Sequence, residues 1–471
     1  MLIGFNLIPS IIISMYQMMY PSITEAVVEF NVKYAVLGLG IMAVCTIGAT
    51  LYSCIKELIS MPAMLMRPKP PKSGKRVFLE KVSFVWNRLG FTEKVTIRNM
   101  FRYKKRFLMT IIGIMGCTAL ILTGFSIKDS ISNIMNLQYD NVYNYDEMLI
   151  LSSSLKENEI DDLKLKLEEK SEIIKGTKTY IVANEATSSK NDYKVDVQVI
   201  VTQNKDEFSK FIKLNDYKTL EEQTLNDDEV FITEKAAKLL NISAGDNIEL
   251  TDNDGNVFIA KVGKIVENYV YHYVYMTSGL YEKIYGEEYS SNVLYLKTNN
   301  LSETEENTLN ESLLKDGKIS SLTSTRYLKD LLGETLQALN KVVYVLIVSA
   351  GLLAFVVLYN LANVNISERI RELATIKVLG FYDKEVYDYV TKEIILLTFI
   401  GIILGLFAGY GLSGFILKTC ETEALIFKVV SLPMSYIMSA GITVIFTVIV
   451  NIMTFFVLKK VDMIESLKSV E

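Results

Sequence analysis

Long apolar runs alternate along this chain with a central stretch of short, mixed segments. Runs at 34–55, 107–127, 339–362, 394–417 and 434–458 are free of charge except near their ends. Each reaches the roughly 20 residues needed to cross a hydrocarbon core, so each predicts a membrane-spanning helix. Residues 1–19 are apolar too, but Asn6 and Pro9 interrupt them and no basic segment precedes them. They predict a partial span or a membrane-surface segment rather than a signal peptide. From Asn144 to about Asp330 the pattern changes. Glu147–Ser152, Thr177–Asn184 and Lys194–Thr202 read as strands, 157–170 as an acidic helix, and Asp252–Gly255 as a hairpin turn. The expected fold is an α-helical multi-pass membrane protein with an inserted α+β domain.

Charge gives this layout an orientation. The chain carries a net charge of −5, but residues 128–336 hold 38 acidic against 23 basic side chains, a net of −15, which leaves +10 elsewhere. A basic membrane part joined to an acidic soluble part argues against a nucleic-acid partner. Residues 61–106 contain 13 Lys and Arg but only Glu80 and Glu93 as acids, which places that connection in the cytoplasm by the positive-inside rule. Alternating spans then put 128–336 outside, 363–393 inside and the Lys459-Lys460 tail inside. The same count puts the N-terminus outside with no complete span before it, as expected of a fragment or one piece of a split protein.

Candidate chemistry is sparse. The single histidine, His272, argues against His-based metal sites and most His-dependent catalysis, and no catalytic residue, metal or cofactor is expected. The four cysteines, Cys45, Cys54, Cys117 and Cys420, form no disulfide pattern. Ser73-Gly-Lys75 lacks the preceding glycine of a phosphate-cradling loop, so ATP is not expected to bind here. Asp252-x-Asp254-Gly resembles part of a calcium loop without its closing glutamate and reads as a turn. Tyr269, Tyr271, Tyr273 and Tyr275 alternate, which places them on one face of a strand. That face is either an external recognition surface or a packed barrel wall.

Two charged segments border the spans. Arg98, Arg102, Lys104, Lys105 and Arg106 form a basic cluster at a membrane entry, suited to anionic headgroups or to a soluble partner. In 366–381, Ile366, Ile370, Leu373 and Ala374 share one helical face, while Glu368, Arg371 and Glu372 share another. Gly380 suits a helix stop. By itself the segment reads equally as a membrane-surface helix or as a helix that docks on another protein.

Arg98–Phe107 leading into a span, Ser126–Ser130 leading outward, and Glu368–Phe381 between spans are similar to an FtsX/MacB-type ABC transporter permease. Asp228–Asn241 followed by Ala244–Leu250 resembles the MacB-like extracytoplasmic domain. The resemblance implies that 1–65 end a preceding unit, with its last span at 34–55. It makes 66–106 a basic cytoplasmic linker and 107–127 the first span of a complete unit. Residues 128–336 become the extracytoplasmic domain, and 337–471 a three-span permease domain. It further implies a non-catalytic subunit of a bacterial cell membrane, partnered by a separate ATPase, membrane lipids, and a second permease half or an external protein. Glu368, Arg369, Arg371, Glu372, Lys377, Gly380 and Phe381 would form the ATPase-coupling helix. The implied activity is export or extraction of lipid, lipoprotein, peptide or drug; the alternative is a regulator of a cell-wall hydrolase or of a peptide response.

Overall fold

The computed structural model describes residues 32–59, 104–367 and 382–459, with Pro9, Ser10, Ile13, Asn87, Gly90, Lys94, Arg98, Val378 and Gly380 as isolated positions. Helix α1 spans Val32–Leu58 and α2 spans Lys104–Asn136, continuing through a π-helical turn at Leu137–Val142. The inserted domain follows as β1 (Glu147–Leu151), α3 (Glu157–Glu168), β2 (Ile173–Ser188), β3 (Asn191–Thr202), β4 (Val230–Thr233) and α4 (Glu234–Leu239). It continues with β5 (Asn247–Thr251), β6 (Val257–Val266), β7 (Tyr273–Thr277), α5 (Ser278–Tyr285), β8 (Val293–Thr298), α6 (Glu303–Leu314) and β9 (Ile319–Ser324). Helices α7 (Thr325–Ser367), α8 (Asp383–Cys420) and α9 (Pro433–Lys459) follow. Among the described residues, five helices are long and apolar enough to cross a membrane.

The chain divides into two compact units. The first comprises Met1–Ile121, Val345–Gly409 and Met438–Glu471. Its helices meet through small residues, which allow close backbone approach where lipid offers no hydrophobic drive to pack. A Cβ at Gly401 would lie 2.7 Å from Ile114, and one at Gly405 would lie 2.6 Å from Thr118. Ile111, Ile114, Leu358, Ala362, Leu397 and Val450 form the apolar centre. Ser439, Thr443, Thr447 and Asn451 recur every fourth residue along α9 and are all buried. Thr443 and Thr447 satisfy their hydroxyls by donating to the carbonyls of Ser439 and Thr443, one turn earlier.

The second unit comprises Leu122–Tyr344 and Tyr410–Ile437 and contains the inserted domain. Its nine strands form two connected layers. In the first, β2, β8, β1 and β9 lie side by side, all antiparallel. With α3 and α6 this is a βαββαβ arrangement. Its core joins Leu149 and Leu151 to Ile160, Leu163, Leu309 and Leu313. The second layer is inserted between β2 and β8. There β2, β3, β7, β4, β6 and β5 pair in sequence and β5 returns to β2, closing a six-stranded barrel. The long strand β2 serves both layers: its first half pairs with β8 and its second with β3 and β5. Alternation along β3 turns Val195, Val197, Val199 and Val201 into the barrel core.

One boundary differs from expectation. The chain does not leave the helix near residue 128: the apolar helix runs over Phe107–Val142, 36 residues. At 1.5 Å per residue that is about 54 Å, against a hydrocarbon core of about 30 Å. Polar residues around Ile127 do not end the helix because Ser126, Asp129 and Ser130 find hydrogen-bond partners there. Helix α7, with 43 residues, has similar excess length.

Candidate functional site

The root of the inserted domain is built around a loop that sequence reasoning overlooked, residues 421–432 between α8 and α9. One end of it is tied to α2. Ser130 Oγ donates to the Val430 carbonyl and accepts from the Val430 N–H, both at 3.0 Å. Ser431 donates to Ser126 at 2.7 Å. Asp129 Oδ2 accepts the Leu432 N–H at 2.9 Å and the Ser435 hydroxyl at 2.5 Å. Ser126, Asp129 and Ser130 stand at i, i+3 and i+4, so helical geometry puts them on one face. All three are buried.

The other end of the loop adds to the barrel as a short strand. Tyr271 N–H donates to Ala424 at 2.8 Å, Ile426 N–H donates to Tyr269 at 3.1 Å, and Val270 faces Leu425 as an antiparallel bridge. Side chains reinforce the contact. Lys235 of α4 pairs with Glu421 at 2.8 Å, with side chains only 10% and 14% exposed. Lys428 reaches the buried Glu267 carboxylate at 3.4 Å, and Glu267 also accepts the Tyr269 hydroxyl. Burial, then the Glu267 carboxylate, hold the Tyr269 phenol above its ordinary range. His272 is buried beside them, and desolvation pushes its imidazole below the ordinary value against the pull of Glu423.

A third connection runs from α2 directly. Gln138 donates to Asn268 Oδ1 and accepts the Tyr269 N–H, both at 2.9 Å. Beyond it a column of tyrosines leads into the domain. Tyr139, Tyr143, Tyr145 and Tyr295 follow one another with ring centroids 5.8, 5.2 and 4.5 Å apart. At α7, Thr325 closes the root by donating its N–H to the Asp146 carbonyl and its hydroxyl to the Tyr145 carbonyl. Nothing in this set is arranged as nucleophile and base. It ties the α8–α9 turn, the end of α2 and the start of α7 to one domain.

The residues singled out in sequence fall elsewhere or behave differently. Glu368, Arg369, Arg371, Glu372, Lys377, Phe381 and Arg102 lie outside the described residues. Gly380 is exposed with φ +95°, the left-handed backbone of a helix stop. Arg98 is helical and exposed, and Lys104 is exposed at the start of α2, with Lys105 and Arg106 next in the same helix. The four tyrosines do not share one strand face. Tyr271 has φ +59°, which breaks the alternation, so β7 begins only at Tyr273. Tyr269 is buried against the 421–432 loop while Tyr271 is 61% exposed. Tyr273 and Tyr275 alternate with the barrel-core residues Val274 and Met276 and stack on each other at 6.0 Å. The Asp252 turn is used locally: Asp252 accepts the N–H groups of Asp254 and Asn256, and Gly255 takes φ +87°.

Helices long and apolar enough to cross a membrane, an inserted two-layer domain and a tied α8–α9 turn define an α-helical multi-pass architecture with an inserted α+β domain. Residues 344–470 match the family model described as FtsX-like permease C-terminal. In structure the chain is similar to the periplasmic region of MacB from Actinobacillus actinomycetemcomitans. The identity is 15%, over 41% of this chain and 94% of that one, with a TM-score of 0.27. It is also similar to the extracellular domain of the ABC-type transporter YknZ from Gram-positive bacteria, at 13% identity, over 38% and 99% of the two chains, with a TM-score of 0.27. No curated protein matches it in sequence.

Proposed function

We propose that this chain is the membrane permease subunit of an ABC transporter in a bacterial cell membrane, with its inserted domain on the extracytoplasmic side. A separate ATPase chain binds and hydrolyses ATP; this chain is non-catalytic. Closure of the ATPase moves the 368–381 segment, and the stroke travels through α7, α8 and α9 to the root of the domain. The domain then drives export or extraction of an amphiphilic cargo: lipid, lipoprotein, peptide or drug. The observation that carries this reading is the 421–432 loop, which joins the segment matching the FtsX-like family model to the inserted domain by backbone hydrogen bonds and a largely buried ion pair. The charge asymmetry supports the orientation.

Gly380 supplies the test. Its φ of +95° is closed to proline, whose ring fixes φ near about −65°. In nanodiscs with the partner ATPase, Gly380→Pro and Glu372→Lys are expected to insert normally and to lose stimulation of ATP hydrolysis. Full stimulation in both variants would sink the assignment of this segment.

A further inference from the structure

The first residue of β1 carries a carboxyl group that no base among the described residues neutralises. Glu147 is fully buried, opposite Ser324 of β9 on one side and Leu296 of β8 on the other. Its Oε1 accepts a 3.3 Å hydrogen bond from Asn310 of α6. Its Oε2 is buried and meets no donor. The neighbour within hydrogen-bonding reach is a second acid, Glu306, one turn earlier on α6.

Glu306 already has partners of its own. It pairs with Arg326 of α7 at 2.8 Å and accepts the Ser324 hydroxyl. The remaining charged groups around Glu147 do not help it. Asp146 precedes it in the chain, accepts the Thr298 N–H at 2.8 Å and draws Lys297 of β8 to 3.5 Å. β9 presents only Ser324. Among the described residues no cation pairs with Glu147. Two carboxylates are acceptors only, so they bond to one another only with a proton between them.

We propose that Glu147 and Glu306 form a proton-binding latch at the root of the inserted domain. The proton is held between the two carboxyl groups while β1 and β9 are paired, and it passes to water when the strands part. The placement suits a moving joint: β9 runs directly into α7, so a pull on that helix acts on the strand facing Glu147. Burial, with Glu306 and Asp146 adding to it and Asn310 opposing, pushes the Glu147 carboxyl up to about 8. Its folded value lies above its unfolded one, so the folded root holds the extra proton. The stabilisation is complete below about pH 4.5 and is lost as pH rises toward about 8. Across that window the unfolding equilibrium constant rises up to about tenfold per pH unit. The latch does not depend on the transport reading.

The test uses the full chain in nanodiscs, with denaturant unfolding from about pH 5 to about pH 9 and infrared detection of a protonated carboxyl group. The unaltered chain is expected to show that band at neutral pH, to lose it near pH 8, and to lose stability over the same range. Glu147→Gln should remove the band and flatten the pH dependence. Glu306→Gln should keep a buried acid at Glu147 but lower the pH at which it titrates, and it carries the test alone if Glu147→Gln does not fold. A slope unchanged in Glu147→Gln, or a titration unmoved by Glu306→Gln, overturns the latch.

Discussion

Single side chains at the root perform more than one task, and Asp129 is the clearest case. It lies in an apolar helix, where an isolated carboxylate is costly, yet its Oδ2 takes both the Leu432 N–H and the Ser435 hydroxyl. It thereby caps the start of α9 from another helix. Removal leaves a backbone N–H without its partner, a loss of about 1–3 kcal/mol. Asp129→Ala is expected to raise hydrogen–deuterium exchange in 421–435 while leaving the barrel amides protected. Exchange unchanged in that segment would show that Ser126 and Ser130 hold the loop without it. Tyr271 is the opposite case. Its exposed ring and φ of +59° serve the backbone path that offers Tyr271 N–H to Ala424, so the turn, not the ring, is what the loop reads.

At the scale of elements, helices α2 and α8 meet at glycines, and the distances rank the substitutions. Gly401→Ala and Gly405→Ala place a methyl within 2.6–2.8 Å of Ile114, Thr118 or the Met115 carbonyl. Overpacking of this kind costs about 1–3 kcal/mol, so both variants should melt at lower temperature in detergent. Gly411 and Gly441 face open space, and alanine there should leave the melting temperature unchanged or raise it. Equal effects at all four positions would refute the close-packed seam. These elements were also the most legible in the sequence, because runs such as 394–417 have the length and uniform apolarity of a span. Legibility failed where polar residues have distant partners. Ser126, Asp129 and Ser130 looked like the exit of a span because their partners, Val430 to Ser435, lie some 300 positions away. Likewise the alternation of Tyr269 to Tyr275 fitted a strand, but a contact with Ala424 turned the backbone after Tyr269. Local pattern carries no trace of such long-range pairings.

For the whole molecule the question is whether the 421–432 loop merely rests on the inserted domain or moves it. Lys235 and Glu421 join barrel and loop from side chains largely hidden from solvent. Breaking such a pair by removing one partner costs about 3–5 kcal/mol, because the other charge is left buried. A structural bond and a transmitting bond differ in what else is lost. If the loop carries the stroke, Lys235→Glu and Glu421→Lys should each lower stimulation of the partner ATPase, even where the chain inserts and the barrel remains folded. The double exchange restores opposite charges at the same two positions, so it should recover much of that stimulation. Recovery of stability without recovery of stimulation would make the pair a strut. Full stimulation in both single variants would mean that force reaches the domain through helices α2 and α7 alone. In that case Thr325, which bonds to both Tyr145 and Asp146, becomes the position where the next substitution belongs.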